Sequence, residues 1–273
     1  MIQYGISSWI ATRLAPAEAI AALAAAGFRR VELSDDDAPL VQAWEADAVA
    51  VTAALAAAGL TVSSIHTPVP GRYLDLPDDA ARRASVQANL DYFAKMAAAG
   101  VPEMVVHPIS NAAGLKGVAL AEAQARVRDS LLTLADAAGE CGLRLAVENL
   151  GANAALAGSL QSLLALIEGL DAHVGLCHDI GHTVQAGLDP VAEVQGALPS
   201  GRLFSLHLHD VNAELRDHFI PGEANLDFAP YLAELSGHSF AGTRTLEIAP
   251  KPGDVAERLR LAAALRERWE TLP

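Results

Sequence analysis

Short runs of β-branched and aliphatic residues alternate along the chain with longer alanine-rich stretches whose apolar positions recur at helical spacing. The runs IQYGISS (2–8), RRVELS (29–34), TVSSIH (61–66), EMVVHP (103–108), RLAVEN (144–149), VGLCHD (174–179), LFSLHLH (203–209) and TRTLEI (243–248) predict strands. Segments such as APAEAIAALAAAG and DAARRASVQANLDYFAKMAAAG predict the helices between them. Several helical stretches stop at a glycine just before the next strand, at Gly27, Gly59, Gly100 and Gly142. Glycine suits the left-handed residue that closes a helix. Eight strand–helix units in alternation predict an α/β chain, a single (β/α)8 TIM barrel over residues 1–273. The alternative is an open doubly wound sheet, but no glycine-rich phosphate loop follows the first strand. No linker or low-complexity segment divides the chain, so one domain is expected.

The polar residues of the strand runs gather at their C-terminal ends, the end at which such a barrel forms its site. Glu32, His66, His107, Glu148, Asp179, His207, His209 and Glu247 all fall there, with His182 just beyond. Side chains in a strand alternate between faces with period two. Ser205, His207 and His209 therefore share one face while Leu206 and Leu208 share the other. Gly175, Cys177 and Asp179 share a face, as do Thr243, Thr245 and Glu247, with Leu246 and Ile248 opposite. Large aliphatics are expected to point to the helices, and small or polar residues into the barrel. His178 falls on the outward face, which makes Asp179 the better ligand.

Glu148, Asp179, His207 and Glu247 come from four successive strands, spaced about 5 Å apart. Three carboxylates in a confined mouth repel one another and resist desolvation. A divalent cation resolves that conflict, and a mixed carboxylate–imidazole set suits Mn2+ or Zn2+, with Co2+, Fe2+ or Mg2+ also admitted. With an open position such an ion polarises a carbonyl or hydroxyl oxygen. Taken singly, a histidine at a strand end is usually structural and a glutamate usually solvated; the joint pattern is what predicts a metal site.

Composition narrows the partners. Hydrophobic residues make up 52% of the chain but aromatics only 5%, so the core is built from Ala, Leu and Val. The formal charge is −14, from 19 Lys and Arg against 33 Asp and Glu, and no basic stripe is present. That argues against nucleic acid and against an anionic membrane surface, and leaves a small ligand. Cys141 and Cys177 form neither a CxxC motif nor a disulfide framework, which suits a reducing compartment. MIQYGISSWI lacks the features of a signal peptide, and AIAALAAAGF is too short to span a bilayer; a cytoplasmic protein is expected. Assembly into a homo-oligomer is left open. Asp35, Asp36 and Asp37 read as a solvated loop, Trp44 and Trp269 as packing residues, and Cys177 as barrel filling. Trp9 also reads as packing, although its place after the first strand suits a pocket wall.

The motifs SSIHTP, VVHPIS, LAVENL, CHDIGHT, SLHLHD, HFIPGEANLDF and TLEI occur in the order seen in the xylose-isomerase-like barrels. Their sequence resembles that superfamily, which holds sugar phosphate isomerases and epimerases and the apurinic/apyrimidinic endonucleases. The resemblance implies a metal held by Glu148, Asp179, His207 and Glu247, with Glu148 and Glu247 also serving as acid and base on opposite faces of a substrate. It implies substrate contacts from His182 and Arg216. In the endonucleases, residues matching His66, His107, His182 and His218 bind further zinc ions. The third of those ions needs an aspartate two positions before the histidine. Arg216 stands there and Asp217 is one position off, which is expected to disfavour that ion.

The leading expectation is isomerisation or epimerisation of a small carbohydrate, phosphorylated or not, or of a polyol ketone, through a metal-stabilised enediolate. His66 and His107 would bind substrate or a second metal, and Glu32 is a further candidate for a substrate hydroxyl. The alternatives are a zinc-dependent phosphodiester hydrolase, a lyase or dehydratase, and a sugar-binding protein without catalysis.

Overall fold

A computed structural model describes residues 3–34, 38–68, 72–109, 115–151, 155–251 and 255–271. The aspartate run 35–37 lies outside the described residues. The strands are β1 (Gln3–Ser7), β2 (Arg30–Leu33), β3 (Thr61–His66), β4 (Glu103–Val106), β5 (Arg144–Glu148), β6 (Val174–Asp179), β7 (Leu203–Leu208) and β8 (Thr243–Leu246). They pair in parallel in sequence order, and β8 closes on β1. This is the (β/α)8 barrel, and closure rules out the open sheet. Each expected run yields a strand. β4, β7 and β8 stop one or two residues early, so His107, His209 and Glu247 sit just past the last ladder position.

The helices among the described residues are α1 (Pro16–Ala25), α2 (Pro39–Ala46), α3 (Ala48–Ala57), α4 (Asp79–Ala99), α5 (Gly117–Glu140), α6 (Leu160–Leu166), α7 (Ile180–Gln185), α8 (Pro190–Ala197), α9 (Ala229–Gly237) and α10 (Val255–Glu270). Asp47, Asp78 and Asp189 each cap a helix start by accepting a backbone N–H of the first turn. At the other ends Gly27, Gly59, Gly100 and Gly142 take φ between 68° and 80°, the left-handed region that glycine enters without a Cβ penalty. No helix among the described residues is long and apolar enough to cross a membrane.

Two hydrophobic clusters follow from the strand alternation. The large one fills the space between strands and helices and includes Val147, Leu176, Leu206, Leu208, Leu246 and Ile248. Trp44 and Trp269 pack into it, Trp269 against Tyr4 and Phe228. The small one, Val105, Ala146, Cys177 and Phe204, sits in the barrel interior. Cys177 is thus barrel filling, and burial pushes its thiol up to about 12. Phe204 departs from simple alternation. The β6–β7 register shifts between Leu176 and Cys177, so Leu203 and Ser205 find partners while Phe204 is the extra residue of a bulge. It turns inward and plugs the barrel below the polar ends.

Candidate metal centre

Strand register brings the predicted acidic and imidazole groups to one point. Glu148 pairs with Cys177, Asp179 with His207, and His207 with Thr245, two residues before Glu247. His207 Nδ1 lies 3.5 Å from Glu148 Oε1, 3.9 Å from Asp179 Oδ2 and 3.2 Å from Glu247 Oε2. One donor atom from each of the four residues lies within 4.8 Å of the other three. All four side chains are buried.

His207 Nδ1 and Glu148 Oε1 have no hydrogen-bond partner there. A buried polar atom left unsatisfied costs about 1–3 kcal/mol, and here the orphaned atoms converge. One imidazole nitrogen among three carboxylates is a donor set that fits a divalent transition ion. The four residues would hold it.

The surroundings fix each of them. His207 turns Nδ1 to this point because Nε2 is engaged by Glu32, 3.0 Å from Oε1. Ser64 Oγ donates to Glu32 Oε2 at 2.7 Å. Glu32 is fully buried and does not line the cavity above. The structure places this candidate for a substrate hydroxyl against His207 Nε2 and Ser64 Oγ, below the described cavity wall. Asp179 closes β6 and caps α7, its Oδ1 accepting the His182 N–H at 2.6 Å. Asn149 braces the same residue, accepting the Asp179 N–H and donating Nδ2 to the Asp179 carbonyl and Thr183 Oγ1. Glu148 Oε2 lies 3.1 Å from His66 Nε2 and 3.2 Å from His107 Nε2, and its Oε1 lies 3.2 Å from His182 Nδ1.

Electrostatics follow the packing. Burial raises the Glu148 carboxyl, but the imidazoles of His107 and His207 outweigh it and hold it well below the ordinary range. Against burial, His207 and His218 hold Glu247 down to about 2. Burial pulls His66, His182 and His218 down, yet the carboxylates they face lift them to about 9, 9 and 10. His178 differs. It faces outward, as the alternation expects, and meets Thr183 Oγ1 and Tyr231 Oη at 2.8 Å each. Burial among these neutral groups brings it down to about 4, so it stays neutral.

Four further donor sets overlap or adjoin the first among the described residues: His66, His107 and Glu148; His66, His207 and Glu247; Asp179, His209, His218 and Glu247; and His182, Asp217 and His218, with ligand atoms within 4.8 Å in each. Arg216 is exposed and absent from the described cavity wall, and Asp217 rather than Arg216 stands at the last of these sets. Leu215 and His218 both have positive φ, 59° and 58°. The backbone between them turns Arg216 outward and brings Asp217 to His218, Oδ1 to Nδ1 at 2.9 Å. Gln185 Nε2 holds the other carboxylate oxygen at 2.6 Å.

A cavity of about 260 Å3 opens over the cluster, and its described wall includes Trp9, Ser34 and Thr67 beside the imidazoles and carboxylates. The edge of Trp9 stands over His218, with ring centroids 4.8 Å apart. Sequence reading left Asn149, Thr183, Asp210 and Asp217 unassigned. Asn149, Thr183 and Asp210 sit within the motifs LAVENL, CHDIGHT and SLHLHD, which was the available signal; Asp217 stands beside Arg216 with no motif to single it out.

The fold and this mouth define a class: a closed parallel barrel carrying buried carboxylates and imidazoles at its strand ends. The chain belongs to the xylose isomerase-like TIM barrel family, whose model matches residues 20–267. No curated protein sequence matches it. Among solved structures it is similar to 3-keto-D-glucoside 4-epimerase from E. coli, with TM-score 0.82 and 18% identity over 98% of this chain and 100% of that one. It is similar to an L-ribulose 3-epimerase, with TM-score 0.82 and 18% identity over 98% of this chain and 94% of that one. D-allulose 3-epimerase from Methylomonas sp. gives TM-score 0.80 and 20% identity over 98% of each chain.

Proposed function

We propose that the chain is a divalent-metal-dependent sugar isomerase or epimerase that moves a proton between carbons of a polyhydroxy ketone or aldehyde. The observation that carries this reading is the convergence of the orphaned His207 Nδ1 and Glu148 Oε1 with Asp179 and Glu247. The barrels of similar shape named above include sugar epimerases, which supports a carbohydrate substrate.

A divalent ion held by the four residues would draw charge from a carbonyl and a neighbouring hydroxyl oxygen and so acidify the C–H between them. Glu148 and Glu247 supply the proton transfer. One, as carboxylate, takes the proton from carbon, and the electron pair moves onto the carbonyl oxygen to give an enediolate. The other, a carboxylate at rest, takes up a proton from the imidazolium it faces and delivers it to carbon, on the opposite face for epimerisation or at the adjacent carbon for isomerisation. His66 and His107 hold Glu148 Oε2, which leaves Oε1 turned to the point where His207 Nδ1 is orphaned. His182 and His218, on the cavity wall, face the substrate hydroxyls, and Trp9 closes that side against water.

Asp217 favours a second reading. With His182 and His218 it forms a donor set that shares no residue with the Glu148, Asp179, His207 and Glu247 set, a pattern suited to a zinc-dependent phosphodiester hydrolase with more than one ion. The net charge of −14 weighs against a polyanionic substrate. The test is metal counting together with solvent exchange. One ion per chain, with deuterium entering a ketose at carbon in D2O, supports the isomerase. Three ions per chain, with no carbon-bound deuterium in any ketose or aldose tried, overturns it in favour of hydrolysis.

A further inference from the structure

Asp179 and the 210–226 loop meet at a single imidazole. His209 is fully buried, with Nε2 at 3.0 Å and 2.9 Å from the two carboxylate oxygens of Asp179. Its other nitrogen, Nδ1, accepts the backbone N–H of His218 at 3.0 Å. The acceptor role at Nδ1 fixes the proton on Nε2, which donates to Asp179. Both nitrogens are thus engaged, unlike His207, whose Nδ1 is orphaned. The two rings of His209 and His218 stack with centroids 4.1 Å apart and planes 17° apart.

The chain is shaped to admit this ring. A methyl group on Gly181, in the first turn of α7, would overlap the His209 imidazole. The loop it anchors is wound around the next residue. The Asp210 carboxylate accepts backbone N–H groups from Val211, Gly222, Ala224 and Leu226. His218 holds a strained φ of 58° within that loop, and its carbonyl accepts from Ala249 N, two residues past Glu247.

We propose that His209 is a positioning residue that couples the metal centre to the 210–226 loop. It aims the Asp179 carboxylate at the ion and pins the His218 peptide, so that loading the centre and ordering the loop reinforce each other. The inference rests on the metal-centre reading above. Partners of this kind typically change metal affinity by about 10–100-fold when removed.

The experiment measures Mn2+ binding by calorimetry and hydrogen exchange at the His218 amide, on wild type, His209→Phe and His209→Gln. Phenylalanine keeps a ring and removes both nitrogens; glutamine restores one donor and one acceptor. The expected result is Mn2+ affinity about 10–100-fold weaker in His209→Phe and His218 exchange about threefold to tenfold faster, with most of both recovered in His209→Gln. Gly181→Ala, which displaces the ring without changing its chemistry, gives the same two losses by an independent route if the phenylalanine variant fails to fold. Wild-type affinity and exchange in His209→Phe, or glutamine no better than phenylalanine, overturns the coupling while leaving the metal centre standing. Failure of the wild-type chain to bind Mn2+ overturns the metal-centre reading and the coupling with it.

Discussion

The two ends of the barrel both bury charge, but they handle it differently. At the floor, Glu103 opens β4 and meets the Arg144 guanidinium of β5 at 2.8 Å. Arg244 of β8 donates to Tyr4 Oη at 3.3 Å and is nearly fully buried. The first pair lies by the Phe204 plug, with the Arg144 guanidinium 5.2 Å from that ring's centroid, whereas Arg244 points outward over the rings of Tyr4 and Phe240. At the mouth, carboxylates outnumber what any one imidazole can satisfy, and the unpaired atoms point at one another. A floor of this kind gives each buried charge a neighbour within the protein. A mouth of this kind holds ionic groups close enough to need something further between them, which is the mark of a site. The contrast recurs between neighbours in sequence: His178 faces neutral partners and stays neutral, whereas Asp179 faces imidazoles.

The largest expected effect separates the ends by activity. Glu148→Gln keeps the shape and removes a carboxylate, so proton transfer measured as deuterium wash-in falls by about 10²–10⁴-fold. Circular dichroism should be unchanged. Wash-in within a few-fold of wild type in that variant removes Glu148 from the proton transfer.

The second effect reads the mouth through stability. Mn2+ at 100 times its Kd stabilises the chain by about 2.7 kcal/mol relative to chelator-treated protein, seen as a higher Tm. Its pH dependence has a definite sign. In the chelated chain the raised imidazoles, His66, His182 and His218, contribute stability that is fully present below about pH 6.5 and is lost as pH rises through about 9 to 10. The depressed Glu247 contributes stability present above its unfolded pKa and lost as pH falls through about 2. Metal displaces the imidazole protons, so its binding strengthens as pH rises. The Tm gain on adding Mn2+ should therefore be larger at pH 8 than at pH 6. An equal or smaller gain at pH 8 indicates that these imidazoles do not compete with the ion.

The sequence disclosed the barrel because its strands and helices repeat with separate periods, and period two alone sorts Glu148, Asp179, His207 and Glu247 to one face. Three features escaped it for physical reasons. Phe204 turns inward at a bulge, and a bulge inverts parity without a marker in the residues. Glu32 has the right strand and face, but whether it reaches the cavity or stops under His207 depends on depth along the barrel axis, which periodicity does not encode. Arg216 and Asp217 differ by one position, and two left-handed residues, Leu215 and His218, decide which of them enters the site. Positive φ at leucine is the kind of event that local propensity does not anticipate.

The smallest effect tests whether the floor is independent of the mouth. Arg144 begins β5 and Glu148 ends it, four residues or about 13 Å apart along the strand. Arg144→Ala leaves the buried Glu103 carboxylate without its ion-pair partner, at an expected cost of about 1–3 kcal/mol in unfolding free energy. Burial already raises the Glu103 carboxyl against the pull of Arg144, so losing the guanidinium raises it further. A carboxyl raised in the folded state is penalised above that pKa and relieved as pH falls through it. The loss should accordingly be greater at pH 7 than at pH 5 in urea unfolding, while Mn2+ affinity stays within threefold of wild type, roughly the precision of such a comparison. If Mn2+ affinity instead falls about tenfold or more, beyond what additive distant sites allow, the two ends are mechanically linked through β5. The division of labour between a structural floor and a chemical mouth then fails.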